Sequence, residues 1–465
     1  MGSGIIGMKS RSAIPPRQDV WKLYSEERLP RYTSYPTAPH FADSVSQRDY
    51  AEWLAAIPDR ASASLYLHVP FCRSMCWYCG CHTTVARSEE PILDYLQALR
   101  TEIGLVADKL RRPLGVSAVH FGGGTPTVIA PRDFTDVIEL LRRRFRLAAD
   151  AEIAVEIDPR TLSPEMIAAL GAAGVTRASL GVQSFDPSVQ RAINRLQSME
   201  QTAAAAAGLR AAGVKGLNFD LIYGLPQQTV ESCLATVARC VELRPDRFAV
   251  FGYAHVPSFK KHQQKIVEAD LPDGAARHAQ SEAIAEALVA AGYRRIGFDH
   301  FALPEDAMAR AQQDGSLHRN FQGYTTDASE ILLGFGASAI GRLPQGYVQN
   351  EVMLQRYAER TREGELATAK GYRLTAEDRL RGELIERVMC DLEADVARIC
   401  ARHRMAPDLL AAATERLQAL AANGVVEWDG KVVRLANRSR FLVRTVASAF
   451  DAYLTSSARA YSRAV

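Results

Sequence analysis

Four of the eight cysteines in this 465-residue chain, Cys72, Cys76, Cys79 and Cys81, fall within ten residues of one another. The stretch reads His68-Val-Pro-Phe-Cys72-Arg-Ser-Met-Cys76-Trp-Tyr-Cys79-Gly-Cys81. A disulfide framework spreads its cysteines to close long loops, so a tight cluster points instead to metal binding or thiol chemistry. The C-x3-C-x2-C spacing places Cys72, Cys76 and Cys79 on one loop. Three thiolates can ligate three irons of a 4Fe–4S cluster and leave the fourth iron open to a ligand, whereas four would close the site to all but electron transfer. The alternative is zinc. Structural zinc sites pair two Cys knuckles across a spacer, and no second knuckle occurs here. The other cysteines, Cys233, Cys240, Cys390 and Cys400, are scattered.

Further residues with chemical potential follow predicted strands. Gly122-Gly-Gly-Thr-Pro126 allows a ligand to approach the backbone closely. The plainer reading is a tight strand-to-helix turn, and no Gly-Lys-Ser/Thr follows that would make it a phosphate loop. Glu156 stands in Glu-Ile-Asp-Pro159, as either a ligand carboxylate or a capping acid. Gln183 follows in Gly-Val-Gln-Ser-Phe185, Asp220 lies in Asp-Leu-Ile-Tyr-Gly-Leu-Pro226, and Ala254 in Gly-Tyr-Ala-His255.

The elements that must position these residues are six strand–helix units. Predicted strands cover residues 64–69, 117–121, 152–157, 177–181, 216–222 and 247–251. Helical patterns run between them, as from Ile92 to Arg111, where apolar residues recur with a period near 3.6. Such alternation implies an α/β fold with a parallel sheet and right-handed crossovers. Polar and Gly-rich residues gather after every strand, which favours a closed or partial barrel over an open doubly wound sheet. Three parts are expected: an arm over residues 1–47, a barrel over 48–350, and a mainly helical unit over 351–465. In that last part, helical patterns from Leu374 to Leu420 precede a hairpin turned at Asp429-Gly430, a winged-helix-like order. Residues 431–465 carry seven Lys or Arg against one Asp. DNA binding is one reading of that excess, and a docking unit with a solvated basic face is the other. The Pro-rich start, with Arg31-Tyr32-Thr33-Ser34-Tyr35-Pro36, reads either as a segment that packs down or as a loose arm.

Composition narrows the class. Hydrophobic residues make up 47% and charged residues 23%, with a formal net charge of +3. These values fit a globular chain with a sizeable core and give no reason to expect nucleic acid as a partner. No apolar run approaches the ~18 residues of a membrane span, and the first residues lack a secretory pattern. The expectation is a cytoplasmic protein.

C-x3-C-x2-C with an aromatic residue before its third cysteine resembles the signature of radical S-adenosylmethionine (SAM) enzymes. With Cys81, the Arg31–Pro36 segment and His318-Arg-Asn-Phe-Gln-Gly-Tyr-Thr-Thr326, the chain resembles the oxygen-independent coproporphyrinogen III oxidase family from about residue 30 onward. The resemblance implies a partial (β/α)6 radical SAM barrel with an N-terminal arm and a mainly α-helical, winged-helix-like C-terminal domain. It implies an oxidoreductase of haem biosynthesis that converts two propionates of coproporphyrinogen III to vinyls by 5′-deoxyadenosyl radical chemistry. The cofactors implied are one 4Fe–4S cluster, held by Cys72, Cys76 and Cys79, and two SAM molecules. The SAM on the cluster would meet Tyr66, Gly123 and Glu156. The second would meet Tyr78, Gly124, Thr125, Gln183, Arg195, Asp220, Ala254 and Ile340. Cys81 and His68 are candidates for radical or proton handling. The partners implied are coproporphyrinogen III and an electron-donor protein, with the chain a monomer. Arg31, Arg319 and the C-terminal arginines are candidates to meet the anionic propionates. Two departures stand out: Tyr78 where the family more often has Phe, and Gly252 where a polar residue is common. Rival readings are a radical SAM haem chaperone, another two-SAM enzyme such as a methyltransferase, and a winged-helix DNA regulator with a sensing cluster.

Overall fold

Apolar and polar residues alternate along the first strands, and the structure turns that alternation into two faces. The computed structural model describes residues 20–24 and 27–454. Six strands are joined by helical crossovers: β1 (Ser62–Val69), β2 (Gly115–Gly123), β3 (Arg146–Ile157), β4 (Arg177–Gln183), β5 (Gly216–Tyr223) and β6 (Arg247–Gly252). They lie parallel in sequence order. On β1, Ala63, Leu65, Leu67 and Val69 are fully buried, in one apolar cluster with Leu96, Leu99 and Ile103 of the Glu90–Asp108 helix. Phe121 of β2, Val155 of β3 and Leu217 and Phe219 of β5 join the same cluster. The alternate residues are Ser64, Tyr66 and His68 on β1, His120 on β2, Glu156 on β3, Ser179 on β4, and Asn218 and Asp220 on β5. Side chains two apart share a face of a strand, so the helix-free side of the sheet is polar, unlike a barrel filled by branched apolar residues.

The crossover helices begin where local chemistry allows. Ser163 caps Pro164–Ala172 by accepting from Met166 N–H, and Ser198 with Gln201 forms a capping box on Met199–Ala211. The expected bounds mostly agree within two or three residues. The third strand differs: it starts at Arg146 rather than Glu152, with an irregularity before Glu152 that the Ala-Ala-Asp-Ala sequence does not announce.

The sheet is wider than the six expected strands. A seventh parallel strand, β7 (Ile331–Phe335), pairs with β1 from Ala63↔Ile331 to Leu67↔Phe335. Three antiparallel strands, Ile340–Leu343, Gly346–Asn350 and Thr368–Arg373, extend that edge, so the sheet runs on to Arg373. At the other edge His300–Ala302 and Arg294–Ile296 follow β6. Among the described residues no pair joins the two outer strands, and the barrel is partial.

Beyond the sheet, helices Ala376–Asp391, Val396–His403 and Ala411–Ala422 pack with a three-stranded sheet. That sheet consists of Glu393–Asp395 and the expected hairpin, Val426–Trp428 with Val432–Leu435. Tyr32 and Tyr35 are buried in the same core. Tyr32 Oη donates to Asp451 Oδ2 (3.0 Å), and Ala452 N–H donates to Tyr35 Oη (2.9 Å). The described part of the arm therefore packs down, while residues 1–19 lie outside the described residues. The basic C-terminal span is engaged within the chain at three of its arginines. Arg434 pairs with Glu393 (2.8 Å), Arg440 donates to Arg295 O (3.0 Å), and Arg444 donates to Leu29 O (3.1 Å). No helix among the described residues is long and apolar enough to cross a membrane.

Candidate active site

The cysteine loop leaves β1 and is pinned at its root. Phe71–Cys72 pairs with Thr84–Val85, Thr84 N–H donates to Pro70 O (2.8 Å) and Ala86 N–H to Cys72 O (3.0 Å). Its tip is held by carbonyl contacts from distant segments. His262 Nε2 lies 2.7 Å from Cys79 O, Lys260 Nζ donates to Cys81 O (2.9 Å), and Gln263 Nε2 donates to both Tyr78 O (3.0 Å) and Ala254 O (3.2 Å). Asn194 Nδ2 donates to Met75 O (2.8 Å). The sulfurs also have donors: Thr83 Oγ1 and Thr125 Oγ1 lie 3.4 Å from Cys72 Sγ, and Arg160 and Arg195 each approach Cys76 Sγ at 3.5 Å. Three thiols on one clamped loop, with hydroxyl and guanidinium donors aimed at the sulfurs, fit an iron–sulfur cluster, whose charge such contacts offset. A hydrogen bond with Cys81 pulls the Cys79 thiol down to about 7, and the same contact pushes the Cys81 thiol up.

The glycine loop passes directly beneath. Gly123 stands at φ +113°, and a Cβ there would sit 2.7 Å from His68 Cε1. A Cβ on Gly122 would sit 2.8 Å from Glu156 Oε1, and one on Gly124 would run into Phe71 O. The loop is stitched to the cysteine segment by Gly124 N–H to Val69 O (2.8 Å) and Thr125 N–H to Phe71 O (2.7 Å). Gly123 N–H also donates to Glu156 Oε2 (3.3 Å), and His120 Nε2 lies 3.2 Å from the other carboxylate oxygen. His68 is buried, and that burial lowers its pKa, so the ring is neutral. Its Nε2–H donates to His82 O and its Nδ1 accepts from Tyr66 Oη, both at 2.9 Å. Both ring nitrogens are therefore engaged in holding Tyr66 and the cysteine loop.

Charge gathers after β3 to β5. Arg195 is buried; it donates to Gly181 O (2.6 Å) and pairs with Asp158 (3.2 Å), which Arg160 also grips (2.6 Å). Burial raises the Asp158 carboxyl, but the two guanidinium groups outweigh it and hold it below its ordinary value. Gln183 sits at φ +68°, with its buried Oε1 unpartnered, as is Arg195 Nε. A buried polar atom without a partner calls for an explanation, and a bound ligand is one. Asp220 accepts from Ser179 Oγ (2.9 Å) and Asn218 Nδ2 (2.8 Å), yet burial, with the nearby Glu156 charge, pushes its pKa up to about 7.

Comparison with known proteins places this arrangement. Residues 66–240 match the model of the radical SAM superfamily. The chain is 60% identical to the oxygen-independent coproporphyrinogen III oxidase of Bradyrhizobium diazoefficiens, over 97% of this chain and 100% of that one. It is 43% identical to the one from Paracoccus denitrificans, over 92% and 95%. The solved coproporphyrinogen III oxidase of Escherichia coli, a radical SAM enzyme, superposes with a TM-score of 0.87 at 39% identity, over 92% of this chain and 100% of that one. This chain belongs to the oxygen-independent coproporphyrinogen III oxidase family. Membership in this radical SAM family brings a 4Fe–4S cluster and SAM as cofactors.

Within the family frame, the expected residues fall into connected groups. Tyr66, His68, Gly123 and Glu156 meet at the ends of β1 to β3. Cys76, Arg195, Gly181 and Gln183 meet between the cysteine loop and β4. Gln263 ties Ala254 to Tyr78, whose ring side packs beside Ile193, Leu225 and Tyr253. Ile340 stands apart, on the strand beyond β7. Its carbonyl faces Gly334, which is paired with Tyr66. The sequence reading passed over Asp158, Arg160, Thr83, His262 and Gln263. Asp158 and Arg160 carried a usable signal, since they directly follow β3 beside Glu156. The contacts from residues 260–263 had none, because only the fold brings that segment to the cysteine loop.

Proposed function

We propose that this chain carries out the oxygen-independent oxidative decarboxylation of two propionates of coproporphyrinogen III, giving protoporphyrinogen IX, with one 4Fe–4S cluster and two SAM molecules in one site. When bound, these cofactors supply the 5′-deoxyadenosyl radical that takes a β-hydrogen from each propionate, after which CO2 and one electron leave and a vinyl group remains. Cys72, Cys76 and Cys79 hold the cluster. Tyr66, Gly123 and Glu156 receive the SAM on it, with Glu156 opposite the ammonium group. Tyr78, Gly124, Thr125, Gln183, Arg195, Asp220, Ala254 and Ile340 receive the second. His68 orients Tyr66, and Cys81 stands beside the cluster loop with its thiol available to the reacting centre.

The observation that carries this reading is the convergence of the clamped cysteine loop, the side-chain-free Gly122–Gly124 path and Glu156 on one point. Of the three parts expected (1–47, 48–350 and 351–465), the described residues of the arm and of the C-terminal unit beyond Arg373 cover the barrel and keep water from a reactive radical. The burial of Tyr32 and Tyr35 in the C-terminal core supports that role. A separate protein donates the electron, and the chain works as a cytoplasmic monomer. Anaerobic incubation of cluster-reconstituted protein with coproporphyrinogen III, SAM and a reductant tests the reading. 5′-Deoxyadenosine and the divinyl product should both appear, and absence of both overturns it.

A further inference from the structure

The sulfurs of the cysteine loop have unlike neighbours. Thr83 and Thr125 bring neutral hydroxyls to Cys72 Sγ, both at 3.4 Å. Cys76 Sγ is approached instead by two guanidinium groups, through Arg160 Nη2 and Arg195 Nη1, each at 3.5 Å. One carboxylate stands between them: Asp158 accepts from Arg160 Nη2 (2.6 Å) and from Arg195 Nη2 (3.2 Å). Two cations and one anion leave net positive charge against Cys76. The three side chains are 14% exposed or less, so water and salt screen that charge little. The other charged groups near the loop face elsewhere. Lys260 donates to Cys81 O, and Glu156 is turned to Gly123 N–H and His120.

Arg160 is held by its own turn. It follows β3 in Asp158-Pro159-Arg160, where its N–H donates to Asp158 Oδ1 (3.1 Å). Its side chain grips the same carboxylate through Nε (2.9 Å) and Nη2 (2.6 Å). Pro159 restricts the backbone between the two residues. A two-pronged grip fixes the guanidinium plane, and the second hydrogen of Nη2 is left for the sulfur. Arg195 is anchored differently, by Gly181 O (2.6 Å). The potential of an iron–sulfur cluster depends on its net charge, its burial and the hydrogen bonds to its sulfurs. Reduction adds one negative charge. A buried cation with an N–H on a ligand sulfur therefore stabilises the reduced form more than the oxidised one.

We propose that Arg160, held by Asp158, is a positioning residue that raises the reduction potential of the cluster through Cys76, and so eases its one-electron reduction. The electron comes from the separate donor protein, which is oxidised by one electron as the cluster is reduced. This rests on the ligand set proposed above. The test is an anaerobic redox titration of the cluster-reconstituted full chain without SAM, followed by the electron paramagnetic resonance signal of the reduced cluster. Arg160→Gln should disfavour reduction by about tenfold, a midpoint about 59 mV lower for one electron. Asp158→Asn removes the anion and should move the midpoint the other way, upward. SAM affinity of Arg160→Gln, read by isothermal titration, should stay at the wild-type value. An unchanged midpoint in Arg160→Gln overturns the proposal. So do shifts of the same sign in the two variants, since a loosened turn rather than charge would then be the cause. Weakened SAM affinity with an unchanged midpoint also overturns it, and makes Arg160 a cofactor contact instead. If one variant fails to hold a cluster, the sign of the shift in the other decides. Loss of the cluster in both overturns the proposal, because the turn would then be structural. A wild type with a reducible cluster and variants that do not shift overturns this inference alone. A Cys76→Ala protein with an unaltered cluster signal overturns the ligand set and this inference with it.

Discussion

Apart from the Glu156 carboxylate, the β1–β3 side of the site is set by backbone and neutral groups, whereas ionisable side chains gather on the β4–β6 side. On the first side, glycines without side chains, carbonyl contacts to the cysteine loop and a neutral His68 fix where a ligand can lie. On the second, Asp158, Arg160, Arg195 and Asp220 bring ionisable groups together. The difference matches two tasks. The cluster and the SAM on it require one geometry, and a backbone cradle cannot drift. An anionic substrate needs sorting by charge, which side chains provide.

The sharpest way to break the comparison is at the cysteine loop itself. Cys79→Ala removes one of three candidate iron ligands, and neither side of the site should then matter. Activity should vanish, together with the visible absorbance of the reconstituted cluster. A variant that keeps its cluster and turns over would remove Cys79 from the ligand set.

Gly123→Ala tests whether the first side works by shape. The new Cβ would enter the space of the His68 ring at a backbone conformation that only glycine adopts freely. A misplacement of this kind costs about 100-fold in kcat. Cluster content should stay near the wild-type value. Wild-type kcat in Gly123→Ala would mean that this cradle tolerates drift.

Behind the first side lies Glu102, buried and accepting from Gly336 N–H (2.7 Å), Tyr357 Oη (2.6 Å) and Asn350 Nδ2 (2.5 Å). It fixes Gly336, where a Cβ would sit 2.6 Å from His68 O. Burial pushes its carboxyl from 4.5 up to about 7. The folded chain thus holds this proton more tightly than the unfolded chain. The resulting stability is full below about 4.5 and is lost as pH rises through about 7, a change of about 3–4 kcal/mol at ~1.4 kcal/mol per pKa unit. Glu102→Gln cannot titrate, so its stability curve should be flatter over that window in chemical denaturation. Parallel curves for the two proteins would remove Glu102 as the source.

The two sides also differed in how far they could be read in advance. The cysteine and glycine loops are contiguous strings, so their chemistry shows in spacing alone. Six strands were visible as short, β-branched-rich runs between helical patterns, and alternation along β1 encodes its polar inner face. The rest lacked a local signature. β7 is a five-residue apolar run, Ile-Leu-Leu-Gly-Phe, too short to be told from a helix fragment. Lys260, His262 and Gln263 lie far along the chain from the cysteine loop, and each alone looks like any surface polar residue. Only the packing of the segment after β6 against that loop brings them to it.

The smallest expected effect bears on the charged side most directly. Asp220 is held near 7 by burial and by Glu156, so it is about half ionised near neutral pH. A cationic ligand favours the carboxylate, and the ligand should therefore release a proton as it binds. SAM affinity at the proposed second site should rise as pH increases from about 6 to about 8, by about tenfold, and then level off. Asp220→Asn keeps the contacts from Ser179 and Asn218 in part but removes the charge. Its affinity should resemble that of the wild type on the acid side and fail to rise above it. Isothermal titration in two buffers of different ionisation enthalpy reads both the affinity and the proton released. A rise that persists in Asp220→Asn would assign the titration to another group and leave the β4–β6 side selecting by shape, as the β1–β3 side does.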